Sequence, residues 1–203
     1  MPERKIEIKP IQFALTESRD NAASADESYA STAHAFAVVL ADLAAAYGQR
    51  FGGASTGRDP VGLAAVASEF LRLMRSLDAQ YGTVGTLPIE NADAAVDEAL
   101  TALAELDPWL QRLDLTEHRS TLNATLLAIC HWAMCHDLRF RAVAPIVNAL
   151  AEQSNAAESR QETAAVFALM QGLIEHLAPD LSGDLEQSNP ERPWRLLNLN
   201  LAI

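Results

Sequence analysis

Apolar positions in this chain recur mostly at steps of three and four, the spacing that lays side chains along one face of an α-helix. Tyr29, Ala33, Phe36, Leu40, Leu43 and Tyr47 form one such stripe and predict a first helix over about 25–47, with Gly48 as its C-terminal stop. Asp59-Pro60 is an N-cap residue followed by proline at the first helical position, so a second helix opens there, carries Leu63, Val66, Phe70, Leu73 and Leu77, and stops at Gly82. Asn91 caps a third, striped by Val96, Leu100, Leu103 and Leu106, which Pro108 ends or kinks, leaving Pro-Trp-Leu-Gln-Arg-Leu as a short extra turn.

The fourth helix, about 117–136, is apolar around most of its circumference through Leu122, Leu126, Leu127, Ile129, Cys130, Trp132, Ala133 and Met134, and is therefore the expected central helix. A fifth runs from about 142 to 153 with Pro145 in its first turn. Ser159 and Glu162 form a capping box that opens a sixth, striped by Val166, Leu169, Met170, Leu173, Ile174 and Leu177. Pro190 and Pro193 frame a last helix that ends in an apolar run to Ile203.

The exception to helical spacing is the N-terminus, where Ile6, Ile8, Ile11 and Phe13 alternate with polar residues or Pro10, so residues 1–24 read as an extended arm and linker before a single all-helical domain over 25–203. Short loops make successive helices antiparallel neighbours. The expected fold is all-α, with antiparallel hairpins stacked as a short α-solenoid or an irregular bundle.

One self-similarity adds to that picture. Leu106-Asp107-Pro108-Trp109-Leu110 is echoed 71 residues later by Leu177-Ala178-Pro179-Asp180-Leu181, and Leu122, Leu127, Ala128 and Ile129 by Leu196, Leu201, Ala202 and Ile203, 74 residues on. Copies near 96–150 and 166–203 would be the mark of stacked hairpins, each needing a neighbour to cover its apolar face.

Composition narrows the function classes. Ala and Leu, both strong helix formers, dominate an apolar fraction of 49%. The net charge of −12 repels a phosphate backbone and an anionic membrane surface, which excludes nucleic acid and membrane as expected partners. Seven acidic residues and no Lys or Arg fall between Ser76 and Gln111. The N-terminus shows no signal-peptide stretch, so the expected location is the cytoplasm. Cys130 and Cys135, five apart on one helix, lie too far apart around the axis to bridge and are expected as free thiols.

Reactive residue types concentrate in Cys130-His131-Trp132-Ala133-Met134-Cys135-His136-Asp137. His131 and Cys135, four apart, share a helix face and could grip one metal ion, with His136 and Asp137 as further candidate ligands. No third ligand is fixed by spacing, and buried thiols and hydrogen-bonded histidines are the expected use of these residues, with no cofactor and no catalytic residue assigned. The His136-Asp137 doublet resembles that of the HD family of helical metal-dependent phosphohydrolases, which would imply an earlier histidine and a later aspartate, His118 and Asp180, around a metal.

Arg139 and Arg141 could clamp an anion or stabilise helix-terminal carbonyls. Near the C-terminus, Trp194, Arg195, Leu197 and Leu201 are candidate partner-binding residues, because Trp and Arg concentrate binding energy and the terminal leucines exceed what a one-sided helix needs. The resulting expectation is a non-enzymatic interaction protein, an adaptor, chaperone or regulator that binds a protein segment in a groove between stacked helices. The alternatives are a helical metal-dependent hydrolase using residues His131 to Asp137, or a self-assembling subunit that forms a homodimer through the last helix.

Overall fold

The structure, a computed structural model, describes residues 21–52 and 57–176, with side chains from residue 29 onward. Among them six helices run α1 (Asn21–Phe51), α2 (Pro60–Tyr81), α3 (Ala92–Leu113), α4 (Arg119–Cys135), α5 (Val143–Ala156) and α6 (Arg160–His176), with one 3₁₀ turn, Thr116–His118, leading into α4. No strand occurs among the described residues. Residues 1–20 of the expected arm, residues 177–203 of the second self-similar copy, and the last helix with Trp194, Arg195, Leu197 and Leu201 lie outside them, while residues 21–24 of the expected linker already belong to α1.

Helices α1 to α4 close a four-membered ring in which α1 packs on α2, α2 on α3, α3 on α4 and α4 back on α1. A hairpin of α5 and α6 is added to the outer side of α4, touching it through both helices. Each helix runs antiparallel to the one before it, so the molecule has two ends. At one lie the C-termini of α2, α4 and α6, at the other those of α1, α3 and α5.

Shared by both helical groups, α4 must be apolar on nearly every side. Leu122, Leu126, Leu127, Ala128, Ile129, Cys130, Trp132 and Ala133 are all buried. Thr125, fully buried, has its hydroxyl satisfied by the Thr121 carbonyl at 2.8 Å. The stripe of α3 is equally direct, with Val96, Leu100, Leu103 and Leu106 all fully inaccessible.

Several boundaries differ from the sequence expectation, each for an identifiable reason. α1 does not stop at Gly48. It continues one turn because Tyr47 and Phe51 stack on Trp109 of α3, and it ends instead at Gly52, which adopts φ +79°. Pro108 does not end α3: Leu106 and Leu110, buried on either side of it, hold the helix on course to Leu113 while the ring itself faces solvent. Asn91 is no side-chain cap, since it sits in the left-handed region at φ 62°.

On α2, Leu73 is 41% exposed, whereas Met74, Leu71 and Ala67 are buried. The helix lies between α1 and α3 and turns the sector facing both inward. Other local signals hold as read. Asp59 Oδ1 accepts from Val61 N at 3.0 Å and Gly62 N at 2.9 Å, and Ser159 and Glu162 cap each other's backbone N–H groups.

α1 has one further property. Its segment Tyr29–Phe51 reaches a mean hydropathy of 1.3, long and apolar enough to cross a membrane by length and composition. Much of that hydropathy is alanine, and the large side chains Phe36, Val39 and Leu43 are buried within the helical body.

Candidate functional site

The reactive cluster of α4 falls at the end of the molecule where α2, α4 and α6 terminate, and the helix divides its members between two faces. On one, His131 meets α1: the Tyr29 hydroxyl lies 3.0 Å from His131 Nδ1, and Cys135 Sγ about 4 Å from the same ring. Burial holds His131 below the ordinary histidine value and therefore neutral. A neutral ring has one N–H and one bare nitrogen, and the Tyr29 hydroxyl can complement either at Nδ1. Burial, reinforced by the nearby Cys135 and Asp78, pushes the Tyr29 phenol well above its usual range. Burial and Asp78 also raise the Cys135 thiol, and burial alone raises that of Cys130. Thiols kept protonated are poor nucleophiles and poor metal ligands. Both are free, as expected.

On the other face, His136 is almost completely buried and bonded at both ring nitrogens. Its Nδ1 donates to the Gly85 carbonyl at 2.8 Å, and its Nε2 lies 3.0 Å from Asp78 Oδ1. The same carboxylate oxygen accepts from Trp132 Nε1 at 2.7 Å, and the Trp132 and His136 rings lie against each other with centroids 4.6 Å apart. Gly85 N donates to the Cys135 carbonyl at 3.0 Å. These bonds tie α2, α4 and the loop between α2 and α3 into one unit. Asp78 is the residue that sequence reasoning missed, since nothing in the chain signals a partner 58 positions away.

Asp137, the second half of the doublet, has a backbone role. It sits in the left-handed region at φ 55°, while its own N–H donates to Met134 O at 3.1 Å and that of Leu138 to Ala133 O at 2.9 Å. This is the Schellman closure of a helix, in which Asp replaces the more usual glycine and the following leucine is buried. Asp114-Leu115 closes α3 in the same way, with Leu115 N donating to Leu110 O at 2.8 Å.

The Asp137 carboxylate is 67% exposed and lies 3.7 Å from His176. His118 faces Asp42 at 2.9 Å near the start of α4, at the opposite end of the molecule. The structure therefore does not bring His118 together with His136 and Asp137, and Asp180 lies outside the described residues. No group of three or more His, Cys, Asp or Glu side chains arranged to hold a metal occurs among the described residues.

Arg139 and Arg141 both anchor the segment after α4 through their backbone. Their backbone N–H groups donate to Asp93 at 2.8 Å and Asp97 at 2.7 Å, and the Arg139 guanidinium donates to the Glu175 carbonyl in the last turn of α6. Two of the carboxylates in the acidic run, Asp93 and Asp97, are thus committed to holding the segment between α4 and α5.

Large apolar side chains remain exposed at both ends. Around the loop that His136 and Cys135 pin, Tyr81, Val84 and Ile89 face solvent, Val84 at 73%. At the other end, Tyr47, Phe51 and Trp109 stack with centroids 5.1 to 6.0 Å apart, and Phe51 is 53% exposed. The Arg112 guanidinium lies over the Trp109 ring at 5.0 Å, and Arg50 donates to the Arg112 carbonyl. The chain matches no known family model, and no curated protein or solved structure is significantly similar to it.

Proposed function

We propose that this chain acts by binding a segment of another protein, as an adaptor, chaperone or regulator in the cytoplasm, and that it does not turn over a substrate. The observation that carries this reading is the loop between α2 and α3. Its apolar residues Val84 and Ile89 are exposed, as is Tyr81 at the end of α2, yet its backbone is fastened to α4 through Gly85 by two hydrogen bonds. A loop left apolar for no purpose has little reason to be held so firmly. A fastened apolar surface loses little conformational entropy when a partner covers it. The reactive residues of α4 support the same reading, because they are occupied in holding that loop and in joining helices.

The test is site-specific photo-crosslinking in cells of the native host, with a photoreactive phenylalanine at Val84 or Ile89 and a control at Gln161, exposed on α6 at the opposite end. The expected result is a discrete adduct of higher mass at 84 and 89 that is absent at 161. Equal labelling at all three positions, or none, overturns the reading. An adduct at twice the chain mass would point to self-association.

A further inference from the structure

The aromatic cluster at the far end of the molecule has a composition and a charge state of its own. Tyr47, Phe51 and Trp109 come from two helices, and their edge-to-face stacking, with interplanar angles of 87° and 88° to Trp109, fixes the rings against one another. Arg112 is laid over Trp109 and Arg50 is pinned to the Arg112 carbonyl, so both cations are positioned before any ligand arrives. Tyr, Trp and Arg are the residue types that dominate binding energy at protein interfaces.

Charge identifies the occupant. In a chain of net charge −12, Arg50 and Arg112 stand exposed with no carboxylate within ion-pair reach among the described residues. The neighbouring acids have other partners: Glu105 faces Arg58 at 3.4 Å, Asp107 faces Arg119 at 2.7 Å and Asp42 faces His118. Asp114 and Glu117, also at this end, lie beyond ion-pair distance from both arginines. A guanidinium carries five N–H donors in a planar fork that matches a carboxylate. Arg50 uses one of them on a backbone carbonyl, and Arg112 stacks through its face, which leaves N–H edges available.

From this we infer a second docking surface, centred on Phe51, Trp109 and Arg112, for an acidic protein segment that carries an aromatic or leucine side chain. The bulky side chain covers Phe51 and the Trp109 edge, while a neighbouring Asp or Glu is held by Arg112 and Arg50. The inference rests on the reading that the chain works by binding protein. Overall like charge predicts slow encounter with such a segment, so affinity comes from the local contacts and not from long-range steering.

The experiment pans a displayed random-peptide library on the full chain and measures synthetic copies of the enriched sequences by fluorescence anisotropy. They are measured against the parent and the variants Phe51→Ser, Arg112→Ser and Val84→Ser, each first checked for an unchanged melting temperature. The expected peptides place Asp or Glu beside an aromatic residue or leucine, lose about tenfold or more in affinity to Phe51→Ser and Arg112→Ser, and keep it against Val84→Ser. Enriched peptides without acidic residues, or peptides insensitive to both Phe51→Ser and Arg112→Ser, overturn this surface. If they are instead lost only in Val84→Ser, the protein-binding reading survives and the second surface does not. Failure to enrich any peptide counts against both.

Discussion

The two ends of this molecule use similar residue types in opposite ways. At the α4 C-terminus a tryptophan, two histidines and two cysteines sit mostly inside, and Asp78 alone accepts from Trp132 and faces His136. At the α1 and α3 C-termini another tryptophan lies at the surface, stacked on Phe51 and covered on one face by Arg112. In the first arrangement Trp132 Nε1, both His136 ring nitrogens, His131 Nδ1 and Asp78 Oδ1 each have a protein partner. The second keeps apolar edge and cationic N–H groups in water. Residue identity therefore says little about chemistry until it is known whether the fold has already used the group.

The contrast is sharpest in mutation. Trp132→Ala removes a buried ring and leaves Asp78 and His136 short of a partner. We expect about 3 to 5 kcal/mol of destabilisation by chemical unfolding, the range for truncating a large buried aromatic. Trp109→Ala, its counterpart at the other end, should cost clearly less, and equal losses would erase the distinction between the two ends. In the same helix as Trp132, Ile129→Ala or Leu126→Ala should cost about 2 to 5 kcal/mol. A melting temperature within a degree or two of the parent would mean that α4 is not the shared core helix.

Next in size is the effect of Asp78→Ala. It leaves the Trp132 N–H and the His136 ring without their acceptor, at a cost of about 1 to 3 kcal/mol. It should also free the α2–α3 loop, read as faster amide exchange at Gly85. Unchanged exchange there would show that the latch is not what fastens the loop.

pH offers a third comparison, because burial shifts titratable groups at the α4 end. His131 is held below its ordinary value near 6.5, so the unfolded chain binds the extra proton first. The stability from this group is present above 6.5 and is lost as pH falls through its lowered folded value. The Cys130 and Cys135 thiols are raised, so their contribution is present at neutral pH and is lost as pH climbs past the usual thiol range near 9. Urea unfolding across this range should show an acid limb that flattens in His131→Asn and an alkaline limb that flattens in Cys130→Ala. The smallest effect belongs to Phe51→Ser, within about 0.5 kcal/mol of the parent, as expected for a surface substitution. A larger loss would make the aromatic cluster part of the core.

How much of this was legible in the sequence depends on the range of the interaction. The Asp59 cap, the Ser159–Glu162 box and the Val96 to Leu106 stripe could be read directly, because each is settled within a few residues of backbone. The ends at Gly48 and Pro108 could not. Whether a helix continues past glycine or proline depends on what its next turn buries, here Phe51 against Trp109 and Leu110 in the core. The site was legible only as a cluster of reactive types on α4. That His136 would find Asp78, and that Asp137 would serve as a left-handed helix stop, required the packed structure.

By itself, then, the sequence determined an all-helical body, the positions of its main helices and α4 as its most buried element, since periodicity and local capping act over a few residues. The tertiary structure decided that α1 to α4 close a ring with α5 and α6 added to α4, which groups are satisfied, and which aromatic and cationic side chains stay at the surface. Those outcomes are fixed by contacts between residues such as Asp78 and His136, or Tyr47 and Trp109, tens of positions apart. No local pattern encodes such a pairing, because it exists only once the intervening helices have packed.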